Sequence, residues 1–482
     1  MFMRYQSIRF LSLAVLSALS LPAIAQGIVL NNEDLRTDLN WLNQQGVIQI
    51  STSTWPLSGD EIQRALSNAK IDNQVQQQVL DSVQAALSAE NTTAKASLYA
   101  ESDPQNVPQH FADEQKSQYQ AAVEFNAGGA QWDARLRINA EKDPIIDNGH
   151  DVNVEGSYLA GKLWNQWIIA GQIPTYWGPG HDGSLIRGDV SRPVYGVTLQ
   201  RADQTAFETK WLSWIGPWQY QVFAGQLDDY KAVPDAKLIG MRLTIQPLPY
   251  LEIGASRMLQ WGGEGKLNSF SSLWEALKGN DNFDDRSLDK SNQLAGVDAR
   301  VNLTRWFDIP ISLYTQVIGE DEAGYLPSRK FYSAGAEYSS SYRDLPVQIY
   351  TEWTDTRTNG EVWGYTYRHG DYKDGYYQHG YPLGHGIGGD SQMYSIGGNI
   401  RFDKMNRVSG RILSANVNQS SLLINQQFPN KDEIQALELT WTHYIQPTMP
   451  LKINGWVSDS DLLGQDSGLS VGIELPLDDY LF

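Results

Sequence analysis

The sequence predicts an all-β transmembrane barrel of about 18 antiparallel strands with a small N-terminal periplasmic α-helical bundle. Three observations lead there. From about residue 94 to the end, apolar and polar residues alternate with a period of two. The segments between those runs are short and long in turn, as in outer-membrane barrels. Before residue 94 the apolar period is 3.6 instead.

Composition narrows the class. The chain has 482 residues, a net charge of −19 and no cysteine. The charge argues against sequence-independent nucleic-acid binding, which needs clustered Lys and Arg. Without cysteine there is no disulfide scaffold, thiol nucleophile or Cys-ligated metal. A mean hydropathy of −0.41 fits no helical multi-span protein, but half-apolar barrel strands are compatible with it.

Residues 1–25 read as a secretory signal: Arg4 and Arg9 precede an apolar stretch over 10–21, and Ala23-Ile24-Ala25 puts small residues before a cut at Gln26. Cleavage there takes the charge to −21. Residues 26–93 form the helical module. Leu35, Leu39 and Leu42 make one stripe, stopped by Gly46. Ser58-Gly59-Asp60-Glu61 fits a capping box before Ile62, Ala65, Leu66 and Ala69. Val75, Val79, Val83 and Ala86 make the third stripe, so three amphipathic helices can share a core.

Residues 94–482 are assigned to the barrel. Trp132, Ala134, Leu136, Ile138 and Ala140 form an apolar face opposite Asp133, Arg135, Arg137, Asn139 and Glu141. Leu136 and Ile138 are expected to face lipid, with Arg135 and Arg137 lining the lumen. Short turns fall near 127–130, 164–166, 215–217, 247–250, 305–308, 341–346, 403–407 and 444–450. Long loops fall near 103–117, 174–206, 227–236, 259–292, 319–330, 356–392, 417–433 and 459–467. The short turns join sixteen strands, and strands at 94–102 and 467–477 make eighteen, with both ends on the periplasmic side. Residues 194–214 have alternation for two strands and parity room for one. The wall strand is placed at 206–214, with 194–203 in a loop or inside the barrel. Phe482 and Tyr480 are similar to the terminal aromatic signal of bacterial outer-membrane proteins, although the alternation breaks at Asp478-Asp479.

Long Trp- and Gly-rich strings carry a family resemblance. They include Leu163-Trp164-Asn165-Gln166-Trp167, Tyr176-Trp177-Gly178-Pro179-Gly180, Gly183-Ser184-Leu185-Ile186-Arg187-Gly188-Asp189 and Trp214-Ile215-Gly216-Pro217-Trp218. Gln260-Trp261-Gly262-Gly263-Glu264-Gly265, Ile318-Gly319-Glu320-Asp321-Glu322-Ala323-Gly324 and Ser53-Thr54-Trp55-Pro56-Leu57 belong to the same set. Together they resemble the Wzi family of outer-membrane capsule-assembly proteins over essentially the whole mature chain. The resemblance implies an eighteen-stranded barrel closed on the periplasmic side by helices. It also implies a lectin-like role, holding capsular polysaccharide at the Gram-negative cell surface, with capsule export machinery as a further candidate partner. It transfers no catalytic residues and no cofactor.

A sugar binder needs aromatic platforms beside hydrogen-bonding groups. The outward loop 356–392 supplies Trp363, Tyr365, Tyr367, Tyr372, Tyr376, Tyr377 and Tyr381 as candidate polysaccharide contacts, or as a self-packed lid. His369, His379 and His385 match no metal-ligand spacing with Asp371, Asp374 and Asp390. The glycine-rich loop 174–193 is a candidate to fold inward; no Gly-Lys-Ser/Thr makes it a phosphate cradle. Neither His-Glu-x-x-His nor Gly-x-Ser-x-Gly occurs, so no catalytic site is assigned. The competing function is a sugar-admitting porin, in which the same arginines would line an open pore.

Overall fold

The computed structural model describes residues 27–113, 115–278, 291–323 and 326–478. The signal-like segment and the terminal aromatics Tyr480 and Phe482 lie outside the described residues. Three helices come first: α1 (Glu33–Gln44), α2 (Gly59–Ser67) and α3 (Gln74–Glu90). Asn32, Ser58 and Asn73 cap their N-termini by accepting backbone N–H groups. Gly46 stops α1 with φ +77°, a conformation that penalises a side chain. The reciprocal half of the expected capping box does not form. Glu61 instead binds Arg64 at 2.7 Å and accepts the Gln204 N–H at 2.7 Å. The three stripes share one core with Trp55, Phe111 and Tyr176.

The wall opens with β1 (Ala94–Glu101), β2 (Ser117–Gly129) and β3 (Trp132–Pro144). Strand β4 is interrupted, as Val152–Asn153 and Tyr158–Leu163, both pieces pairing with β3. Next come β5 (Gln166–Gln172), β6 (Tyr195–Arg201), β7 (Trp218–Gln226), β8 (Lys237–Leu248) and β9 (Leu251–Trp261). They continue as β10 (Ser291–Asn302), β11 (Ile311–Ala323), β12 (Leu326–Tyr342) and β13 (Leu345–Asp355). The last are β14 (Gln392–Arg401), β15 (Asn406–Val417), β16 (Asp432–Gln446), β17 (Met449–Ser460) and β18 (Gly464–Pro476). Each pairs antiparallel with its neighbours, and β18 closes on β1 with Val471 opposite Ala100. Among the described residues the barrel is thus closed and eighteen-stranded, leaving no free sheet edge in lipid.

Parity is satisfied differently from the sequence expectation. The wall strand β6 lies within 194–203, and residues 206–214 belong to the connection at the short-turn end, with a 3₁₀ turn at Ser213–Ile215. The alternation explains this. Tyr195 and Val197 point outward and are exposed, whereas Thr198 and Gln200 point inward and are buried. In 206–214, Glu208 and Lys210 would share a strand face with Leu212 and Trp214, so no continuous apolar face exists. Two expected long loops are also shorter than expected. Strands β11 and β12 reach Ala323 and Leu326, and β17 and β18 leave only 461–463 between them.

Trp164, Trp211, Trp214, Trp306, Tyr342 and Trp441 are exposed at or near the short-turn end, and Tyr119, Tyr195 and Tyr394 near the long-loop end. These are the two aromatic girdles of a membrane barrel. Between them a groove of about 970 Å³ lies on the outward face, lined by Tyr394, Ile396, Ile412, Leu437 and Val457.

Candidate functional site

The lumen is filled in three layers. At the short-turn end α1 is bonded to the wall: Trp41 Nε1 donates to Ser340 O at 2.9 Å, and Arg401 binds Asp38 at 2.7 Å. Arg407 binds Asp34 at 2.7 Å and also donates to Asp38. Farther in, Arg242 of β8 binds Asp298 of β10 at 2.6 Å while donating to Thr54 and Ser53 at 2.8 and 3.0 Å.

The middle layer is the segment 173–194, which folds into the barrel. Tyr176–Trp177 pairs with Thr54–Trp55, so module and segment form one ladder. Arg36 lies over the Phe111 and Tyr176 rings at 4.3 and 4.9 Å, a cation held between aromatic faces. Asp182 is fully buried; burial would raise its carboxyl pKa, but Arg411 at 2.9 Å and Ser395 hold it below the usual carboxylate range. His181 donates its backbone N–H to Glu352 at 2.8 Å, and its ring lies 2.7 Å from Glu337.

The outer layer is the loop 356–391. Tyr367 Oη donates to Leu185 O at 2.6 Å and Tyr376 Oη to Ile186 O at 2.8 Å. Gly188 N–H donates to Leu383 O at 2.8 Å, and a Cβ at Gly188 would fall 2.3 Å from Gly384 O. Glycine is therefore required for this approach of two backbones. What remains of the lumen includes a polar cavity of about 360 Å³, lined by Glu33, His110, Glu124, Arg135, Arg137 and Lys452 among others. Arg135 is buried and binds Glu90 of α3 at 2.8 Å, with Glu124 at 3.4 Å. Arg137 donates to Asn139 at 2.9 Å. Leu136 and Ile138, on the other face of β3, are exposed.

The seven aromatic candidates separate into two groups. Tyr367, Tyr372, Tyr376, Tyr377 and Tyr381 are buried within the lid, and burial pushes the phenols of Tyr367, Tyr376, Tyr377 and Tyr381 above the usual pKa. With their rings packed against Trp177, Leu185 and Phe331 among others, the first four offer no face to a sugar in this conformation. Tyr381 is likewise enclosed, beside Ile146 and Val190. Trp363 and Tyr365 are exposed, 57% and 43%. Their rings are stacked, 6.5 Å apart at 25°, and the Arg329 guanidinium lies 4.3 Å from the Tyr365 ring centre. The turn before them is fixed by Asn359, whose backbone N–H donates to Lys330 O at 2.7 Å and whose side chain accepts the Lys330 N–H at 2.9 Å. Gly364, with φ +67°, reverses the chain between the two rings.

The lid histidines make mostly local bonds. His369 Nδ1 accepts from the backbone of Asp371, and Asp371 binds Lys266 at 2.7 Å. His385 is fully buried beside Thr354, where desolvation lowers its pKa to about 4. Among the described residues no group of three or more His, Asp or Glu side chains could hold a metal ion.

The family profile described as capsule assembly protein Wzi matches residues 88–471. A 55.8 kDa protein in the cps region of Klebsiella pneumoniae is 44% identical over 470 residues, 96% of this chain and 92% of that one. The chain belongs to the Wzi capsule assembly family. The solved structure of Escherichia coli Wzi is described as an outer membrane protein involved in group 1 capsule assembly and a carbohydrate-binding β-barrel. It is 42% identical, with a TM-score of 0.88 over 93% of this chain and 99% of that one.

In this Wzi-family barrel the sequence reading missed the partners that fix the segment 173–194, Arg411 and Glu352 above all. Both stand on wall strands at inward positions, where their alternation with Ile412 and Trp353 was the available signal. Which inward charges meet depends on strand register around the barrel, and local spacing does not encode that.

Proposed function

We propose that the protein is a non-conducting outer-membrane lectin that holds capsular polysaccharide at the cell surface, with its helical module on the periplasmic side. The observation that carries this reading is the filled lumen. Module, inward segment and lid are bonded to one another and to the wall, leaving a polymer to be met from outside. The role of the Escherichia coli relative, a carbohydrate-binding barrel of capsule assembly, supports the same class.

The contact surface is the exposed pair Trp363–Tyr365 with Arg329. A pyranose ring stacked on either aromatic loses water from one apolar face, and the guanidinium can meet a sugar carboxylate. Each contact is worth about 0.5–1.5 kcal/mol by analogy with aromatic pairs. Many barrels engaging one repeating polymer multiply such contacts through effective concentration. The export machinery is a partner only as the source of that polymer; lipid surrounds the wall.

Deleting the protein from a capsulated cell tests the class: polymer should still be made and exported but pass into the medium. Loss of synthesis itself would overturn the reading. Trp363→Ala with Tyr365→Ala should reproduce part of the release at unchanged barrel levels. Wild-type retention by that variant would move the site elsewhere on the outer face.

A further inference from the structure

The long loop between β9 and β10 contains a fourth helix, α4 (Phe270–Leu277), and its position on the barrel is unusual. Register places it. Arg242 of β8 points into the lumen, and it pairs with Ser256 of β9; Arg257, Leu259 and Trp261 therefore lie on the outward face. Yet Leu259 is fully buried and Trp261 nearly so, because Leu273, Ala276 and Leu277 of α4 pack against this part of the wall. Arg257 donates to the carbonyls of Leu277 and Ala276 at 2.9 and 3.1 Å, where the negative end of the helix dipole favours a cation. Gln293 of β10 donates to Ala276 O at 3.2 Å. The helix lies outside the barrel, flat against its wall near the long-loop end.

Its other face is apolar and exposed. Phe270 is 80% exposed, Trp274 is 53% exposed, and Leu267 just before the helix is 59% exposed. Phe270, Trp274 and Lys278 follow at intervals of four, so they share one side.

We propose that α4 is an interfacial anchor: Phe270, Trp274 and Leu267 insert into the outer leaflet of the surrounding membrane. Continuity with the lipid-facing wall decides the occupant. Elsewhere near this end Tyr119, Tyr195 and Tyr394 stand outward within three residues of the ends of their strands. On β9 and β10 the corresponding outward positions include Arg257, Gln293 and Ser291, which lipid would solvate poorly. The helix covers these polar groups and presents two aromatic side chains in their place, restoring the girdle. Trp prefers the headgroup level, and a short helix with one apolar face lies in that plane.

The chain has no cysteine, so Phe270→Cys creates a single labelling site for an environment-sensitive fluorophore. Position 270 is exposed, so the barrel should fold unchanged; Ser271→Cys, also exposed, gives a second reporter. Lys231→Cys, on a different long loop and 81% exposed, is the aqueous control. The labelled proteins are placed in phosphatidylcholine vesicles carrying a nitroxide on the headgroup or on the upper acyl chain. At 270 we expect blue-shifted emission, loss of most of it to either nitroxide and little loss to aqueous iodide; position 231 should behave oppositely. Iodide quenching at 270 and 271 equal to that at 231, without nitroxide quenching, would overturn the proposal. Shielding that disappears when the protein is diluted in lipid would also overturn it, assigning the face to a second copy of the chain.

Discussion

Arg411 of the wall binds Asp182 of the inward segment at 2.9 Å, joining residues 229 apart in sequence at the middle of the lumen. Arg411 also binds Glu438 at 2.7 Å, so one guanidinium serves two carboxylates. Arg411→Ala should therefore leave Asp182 buried without its cation, at a cost of about 3–5 kcal/mol. The wall does not depend on this pair, so the barrel should still insert, with the inward segment loosened. Single-channel recording should show larger or more frequent openings than in the wild type. Asp182→Asn together with Arg411→Met, which removes both charges, should be the milder variant. Equal closure in all three would mean that the ladder with Thr54–Trp55 and the bonds to Glu352, Tyr367 and Tyr376 hold the segment without this pair.

The His385 ring sits beside Thr354, with Asp182 and Arg411 as the charges that face it. Its native pKa near 4 lies below the ordinary 6.5, so the unfolded chain binds the proton more readily. Stability from the neutral ring is complete above pH 6.5 and falls as pH drops toward 4, by roughly 3 kcal/mol, with no further change below. The difference in unfolding midpoint between wild type and His385→Gln should follow that window. A difference that stays flat from pH 7 to 4 would remove His385 as its source.

Architecture was legible in the sequence where one residue type repeats. The alternation on β3 and the three helical stripes needed only local spacing, and the short and long connections gave the strand parity. What failed was non-local. Residues 194–203 and 206–214 compete for one place in the wall, and pairing with β5 and β7 chooses between them. The lid tyrosines likewise carried no mark of burial, because Tyr367 and Trp363 are equally aromatic and only four residues apart. A buried carbonyl awaiting the Tyr367 hydroxyl lies on a different loop. Helix α4 does have a local trace within the expected long loop 259–292, Ser269 followed by Leu273, Ala276 and Leu277.

The wall itself offers a plain contrast. Leu136 pairs with Phe125 on the outward face of β3, and Leu136→Arg should cost about 2–4 kcal/mol near the midplane. The Arg137 guanidinium lies beside a polar cavity and donates to Asn139, so Arg137→Ser places no charge in lipid and should cost clearly less than Leu136→Arg. Folding into lipid vesicles at a series of urea concentrations checks both, and equal costs would contradict the assignment of faces.

Tyr367 separates lid integrity from sugar contact. Its hydroxyl donates to Leu185 O and accepts the His385 N–H at 3.1 Å, so Tyr367→Phe leaves two buried backbone groups unpaired. The expected cost is about 1–3 kcal/mol for each group left unsatisfied. Hydrogen exchange over 356–391 should accelerate while exchange in the wall stays slow. Because the Trp363–Tyr365 pair lies outside this core, polymer retention should fall less than in Trp363→Ala with Tyr365→Ala. If Tyr367→Phe releases as much polymer as the double variant, lid order rather than the exposed pair governs binding.

The helical module makes the last test, because two arginines of the wall meet its carboxylates and would lose them with it. Arg401 and Arg407 point inward from β14 and β15, and both meet Asp38; Arg407 also meets Asp34. Asp298 and Arg242 pair within the wall and would survive loss of the module. Wall strands satisfy their backbone groups with one another, so removing residues 27–93 should leave a barrel able to insert. In that barrel the two arginines face water in the opened short-turn end. Conductance should rise, and anions should be favoured near that mouth by the uncompensated guanidinium groups. Arg401→Gln with Arg407→Gln in the truncated chain should lower that anion preference without closing the pore. A truncated barrel that inserts but remains silent would assign closure to the segment 173–194 and the lid, independently of the helices.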